Sequence, residues 1–75
     1  MDNCQIGDYK VICEDKYNRF HRYFVDIHLF EDYGDMDPNE VLQDYERLID
    51  EDTQIRIVSL YTGIEFVYDY DYING

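Results

Sequence analysis

From Gln54 to Tyr72 one set of alternate positions is almost wholly apolar and the other is mixed, with a break at Thr62-Gly63. That pattern predicts two strands joined by a hairpin turn, with glycine where the backbone needs φ > 0. A two-residue loop pairs Tyr61 with Ile64, Ser59 with Phe66, Ile57 with Tyr68 and Ile55 with Tyr70 on one apolar face. It pairs Leu60 with Glu65, Val58 with Val67, Arg56 with Asp69 and Gln54 with Asp71 on the other. Two earlier strands follow from the same period. Asp8 to Glu14 turns Tyr9, Val11 and Cys13 inward. Arg19 to Phe30 has a clean apolar face of Tyr23, Val25, Ile27 and Leu29, expected in the core. Phe20, Arg22, Phe24, Asp26, His28 and Phe30 alternate onto its amphipathic face.

The period changes to that of a helix after the acidic connector 31–36. Asp37 is placed to cap a helix start, Pro38 suits the first helical position, and Glu40 completes a capping box. Val41, Leu42, Tyr45, Leu48 and Ile49 then form one apolar stripe. The helix is expected from Pro38 to Ile49 or Asp50, with Glu51-Asp52-Thr53 connecting it to the hairpin. The order is β-β-α-β-β, an α+β domain spanning residues 1–75. One helix lies on one face of a mostly antiparallel four-stranded sheet. Whether the second and third strands are neighbours stays open.

The chain is strongly acidic. Eighteen Asp and Glu face six Lys and Arg, for a net charge of −12. Such a field repels nucleic acid and anionic membranes and attracts basic surfaces. No stretch has the roughly 20 apolar residues of a membrane span, and no secretory leader is read at the start. The expected location is cytoplasmic, with Cys4 and Cys13 reduced. No phosphate loop, CxxC pair, HExxH or nucleophile elbow occurs. His21 and His28 fall on opposite strand faces, and the 32–37 acidic run lacks the ligand order of a calcium loop. These absences point to a non-enzymatic protein without cofactor or metal. Lys10, Lys16, Arg19 and Arg22, interleaved with aromatics in the first hairpin, would suit RNA only in a basic domain.

The candidate site is therefore the acidic surface. Glu65, Asp69 and Asp71 form a row on one hairpin face, where i and i+2 carboxylates lie about 6.8 Å apart. Asp35 and Asp37 precede the helix, Glu40 and Asp44 share one of its faces, and Asp50, Glu51 and Asp52 follow it. The last three oppose the helix dipole, which suggests that something other than helix stability keeps them. Carboxylates spaced on a rigid frame beside tyrosines can imitate a phosphate backbone.

In size, charge, tyrosine content and β-β-α-β-β plan, the chain resembles the small acidic inhibitors encoded by bacteriophages. These include DNA mimics, uracil-DNA glycosylase inhibitors and anti-CRISPR proteins. The resemblance implies a protein that occupies the basic groove of a host nucleic-acid-binding protein, such as a Cas effector, in the bacterial cytoplasm. Two alternatives stand beside it. One is a phage protein that binds a host enzyme such as RNA polymerase through the aromatic face of the second strand or through an exposed sheet edge. The other is an antitoxin or immunity-type partner.

Overall fold

The computed structural model describes residues 4–30 and 36–74. Tyr9–Asp15 (β1) and Thr53–Ser59 (β3) are rich in β-branched residues and form the middle of an antiparallel four-stranded sheet. Arg22–His28 (β2) and Glu65–Tyr68 (β4) are its edges, in the order β2-β1-β3-β4. The second and third strands therefore lie apart, with β1 between them. Pro38–Leu42 (α1) and Tyr70–Asn74 (α2) are two short helices. Tyr9, Val11, Cys13, Ile55, Ile57 and Tyr68 form one core with Val41 and Leu42 of α1. The remaining face of the sheet carries Lys10, Ile12, Glu14, Gln54, Arg56, Val58, Glu65 and Val67, and from β2 Val25 and Ile27.

Four expectations are corrected. The clean apolar face of the second strand does not enter the core: Val25 is 45% and Ile27 50% exposed, and Tyr23 and Leu29 are also open. Val25 pairs with Ile12 and Ile27 with Lys10, both on the uncovered face. An irregularity in the register at Cys13/Glu14 accompanies the change of sides. Phe24 and Asp26 take the helix side instead, where Phe24 meets the Tyr45 ring at 6.0 Å and Asp26 Oδ2 accepts from Tyr45 Oη at 2.8 Å.

The long helix stops at Leu42. Asp37 caps it as expected, with Oδ1 accepting from the Asn39 N–H at 2.9 Å and Pro38 in the first turn. Beyond it, Asp44, Tyr45, Leu48 and Ile49 each donate to the residue three back, and Glu46–Leu48 is a 3-10 turn. Like charges on Glu40 and Asp44, four apart, disfavour continuation of the α-helix. The tighter winding also accompanies the reach of Tyr45 to β2.

The last hairpin is shifted by two residues. Ser59 Oγ accepts from the N–H groups of Tyr61 and Thr62, and the Gly63 N–H donates to the Ser59 carbonyl at 2.8 Å. Gly63 holds φ of 83°. The loop is thus Leu60 to Gly63, and Ile57 pairs with Phe66, Ile55 with Tyr68, and Arg56 with Val67. A shift of two keeps each residue on its face but changes every partner. The Tyr-Asp alternation ends as α2, not as strand, because Asp69 Oδ1 accepts from the Tyr72 N–H at 3.1 Å. Tyr72 Oη donates to Asn39 Oδ1 at 2.8 Å and ties α2 to α1.

This placement of the core predicts unequal costs for two isoleucines. Ile57→Ala, at a fully buried site, should lose about 2–5 kcal/mol. Ile27→Ala should lose no more than about 1 kcal/mol. Urea unfolding of both variants measures the difference; equal losses would contradict the assignment of faces.

Candidate functional site

The sheet separates two groups of charges. On the face without helices, Glu14 is fully buried. Its Oε2 accepts from Gln54 Nε2 at 2.7 Å and Arg56 Nε at 3.2 Å, and its Oε1 accepts from Arg56 Nη2 at 3.1 Å. Arg56 Nη1 lies 3.4 Å from Glu65, and Arg19 Nη2 donates to the same Glu65 oxygen at 3.1 Å. Burial alone would raise the Glu14 pKa. The hydrogen bonds from Arg56 and Gln54 and the charges of Arg56 and Arg19 outweigh it and hold the carboxyl below its usual range. The same partners push Arg56 higher, against its own burial.

Four of the six Lys and Arg side chains, Lys10, Arg19, Arg22 and Arg56, belong to this side. The helix-bearing side holds most of the described acids. Glu40 and Asp44 are exposed beside α1, Glu46 lies in the 3-10 turn, and Asp71 opens α2. Asp50, Glu51 and Asp52 form an exposed corner before β3. Asp50 Oδ1 accepts from the Asp52 N–H at 2.9 Å. That bond, with one from the Thr53 side chain, lowers the Asp50 pKa and keeps it ionised. The corner is tied to the first hairpin by Lys16 N–H, which donates to the Asp52 carbonyl at 2.7 Å.

Next to this corner is an open groove of about 430 Å³, lined by Cys13, Tyr23, Leu48, Asp50, Asp52 and Thr53. Tyr23 Oη donates to Asp15 Oδ2 at 3.3 Å, so a third carboxylate stands at its edge. Burial, ahead of the charges of Asp50 and Glu14, raises the Cys13 thiol pKa and leaves it neutral at the floor. Burial and then the Asp26 hydrogen bond push Tyr45 up to about 12.

The expected acidic rows are only partly assembled. Asp50 and Asp52 share the groove, while Glu51 stands between them in the chain. Asp37 is used as a helix cap. Glu65, Asp69 and Asp71 do not form a row: Glu65 faces the opposite side and is paired with two arginines. Asp69 caps α2 with Lys16 Nζ at 4.0 Å, and Asp71 sits in the first turn of α2. Asp35 lies outside the described residues. The reading of rows missed Asp15 and Tyr23 at the groove and the whole Glu14 cluster. Glu14 was detectable, since strand alternation sets it opposite the Tyr9-Val11-Cys13 face.

Among the described residues, no group of three or more His, Cys, Asp and Glu is arranged to hold a metal ion. No helix among them is long and apolar enough to cross a membrane. No family model, curated protein or solved structure matches the chain.

Glu14 gives a test by pH. Its folded pKa is lowered from about 4.5. Its stabilisation is therefore fully present above that value and is lost as pH falls through the lower folded pKa. Glu14→Gln, which leaves Glu65 as the remaining counter-charge of Arg56, should cost about 1.5–3 kcal/mol near pH 7. The gap from wild type should shrink in acid, as read by urea midpoints across the pH range. A gap constant with pH would show that Glu14 contributes no charge to stability.

Proposed function

We propose that the helix-bearing side binds a basic surface of a host nucleic-acid-binding protein and competes there with nucleic acid. The observation that carries this reading is the sorting of charge. Four of the six cations lie on the open sheet face, where Glu14 and Glu65 offset part of their charge. The helix side is left with Glu40, Asp44, Glu46, Asp50, Glu51, Asp52 and Asp71, against Arg47 and Lys16. That excess is larger in effect than the overall −12 implies, because it lies mostly on one side. Carboxylates held by backbone hydrogen bonds, as at Asp50, lose little freedom on docking.

A Lys- and Arg-lined groove of a Cas effector is one surface of the required kind. An antitoxin or immunity-type partner would engage the same side. The protein acts by occupying a site, without catalysis and without contacting nucleic acid itself.

The exposure of β2 favours a second reading, docking of a host enzyme such as RNA polymerase on that strand. It has an obstacle at the edge. Asp26 Oδ1 accepts from the Ile27 N–H at 2.8 Å and covers a donor that an added strand would need.

The test uses Asp50→Asn with Glu51→Gln and Asp52→Asn, compared with Phe24→Ala. An amide side chain at position 50 retains an acceptor oxygen for the turn, so the melting temperature should hardly change. Association with the basic partner should slow by about tenfold or more at low salt. The difference should fade as salt rises. Binding that ignores the triple change and is lost with Phe24→Ala would favour the β2 reading instead.

A further inference from the structure

Among the described residues, Arg22 is, with Lys10 and Arg47, one of three cations without an ion pair. Arg22 is paired in register with Glu14 across β2 and β1. Opposite charges at such positions usually attract one another. Here the Glu14 carboxylate is turned toward β3, where Gln54 and Arg56 occupy both of its oxygens. Among the described residues, Arg22 has neither an ion pair nor a side-chain hydrogen bond. Its side chain lines a cleft of about 240 Å³ with Arg19, Phe20 and Arg56.

The cleft is built on a fixed base. Arg56 is only 6% exposed, and its guanidinium is held by Glu14 from one side and by Glu65 from another. Arg19 is held by Glu65. Phe20 stands beside these cations with 93% of its surface exposed, the largest value among the described large apolar residues. Three guanidiniums against the carboxylates of Glu14 and Glu65 leave a local charge of +1, in a chain whose total is −12.

We propose that this cleft binds a carboxylate that carries an adjacent aromatic or bulky apolar group. One unmatched guanidinium suits a monoanion. A dianionic phosphate would exceed the local charge and meet stronger repulsion from the rest of the chain. Arg22 supplies the planar two-donor fork that fits a carboxylate. Phe20 supplies an apolar surface that the neighbouring group covers. The volume lies below the roughly 300–1,000 Å³ of sites for whole drug-sized ligands, so the occupant is a group of side-chain size. Such a group occurs in a free aromatic acid and at the carboxyl terminus of a peptide.

The experiment follows the arginine Nε–Hε and Phe20 ring signals by NMR in the full chain. Benzoate and N-acetyl-phenylalanine are titrated, with benzamide and N-acetyl-phenylalaninamide as neutral counterparts and phenyl phosphate as the dianion. At least one carboxylate should give saturable shifts at Arg22 and Phe20, with a dissociation constant of the order of millimolar. The amides should not. Arg22→Gln should weaken binding at least about tenfold without changing the melting temperature, and Lys10→Gln should leave it intact. A stronger response to N-acetyl-phenylalanine assigns the cleft to a peptide terminus, and a stronger response to benzoate assigns it to a free acid; both support the proposal. It is overturned by absence of saturation with both carboxylates, by equal shifts from the amides, by an unchanged Arg22→Gln, or by phenyl phosphate binding about tenfold tighter than either carboxylate.

Discussion

The buried Glu14 carboxylate is the constraint on which the arrangement depends. A charge without solvent in the middle of a sheet face is tolerated only when its oxygens are satisfied by charged and polar partners. Gln54 and Arg56 provide them from β3, and both lie next to Glu14 only because β1 and β3 are neighbours in this register. Slippage by one residue would place Arg56 on the core side and leave Glu14 alone. The network therefore specifies the pairing of the two central strands more sharply than their apolar residues do. Val11, Ile55 and Ile57 would accept a slip of two, but the slip that sets Arg56 opposite Lys10 would part it from Glu14.

The network also governs where charge appears outside. By gathering Arg56, Arg19 and Glu65 around Glu14, it concentrates cations and their counter-ions on the face without helices. The opposite side is then strongly anionic, and its acids find little local neutralisation. They are held apart by caps and turns: Asp37 on α1, Asp69 on α2, and Asp50 at the corner before β3. Self-repulsion on that side is a cost to folding. The short α1, followed by a 3-10 turn, is consistent with it. A small domain carrying such a cost gains from a partner that brings positive charge.

Period and capping residues made much of this frame legible. The alternation of Tyr9, Val11 and Cys13 located the core side of β1, and Asp37-Pro38 located the start of α1. The faces of Ile55, Ile57, Phe66 and Tyr68 were also readable, since a shift of two preserves them. What local pattern does not contain is the neighbour of each strand. Val25 and Ile27 look like core residues along the chain, and become half-exposed because β2 is an edge whose outer face has no helix above it. Asp69 looks like a strand residue until its carboxylate is seen to accept from the Tyr72 N–H. Ser59 Oγ lengthens the hairpin loop for a similar reason: a side chain competing for backbone N–H groups leaves no mark in the hydrophobic period. Among the acids, solvent exposure at the Asp50–Asp52 corner followed from the connector position, whereas the capture of Glu65 by two arginines required the folded sheet.

The sorting of charge onto two opposite sides of the sheet can be measured without knowing any partner. Paramagnetic cosolutes of equal size and opposite charge report the near-surface electrostatic potential at each backbone amide by NMR. A strongly negative potential is expected at residues 40–52 and 70–72, and a much weaker or locally positive one around Lys10, Arg22, Val25 and Val67. A potential equally negative over both sides of the sheet would contradict the sorting.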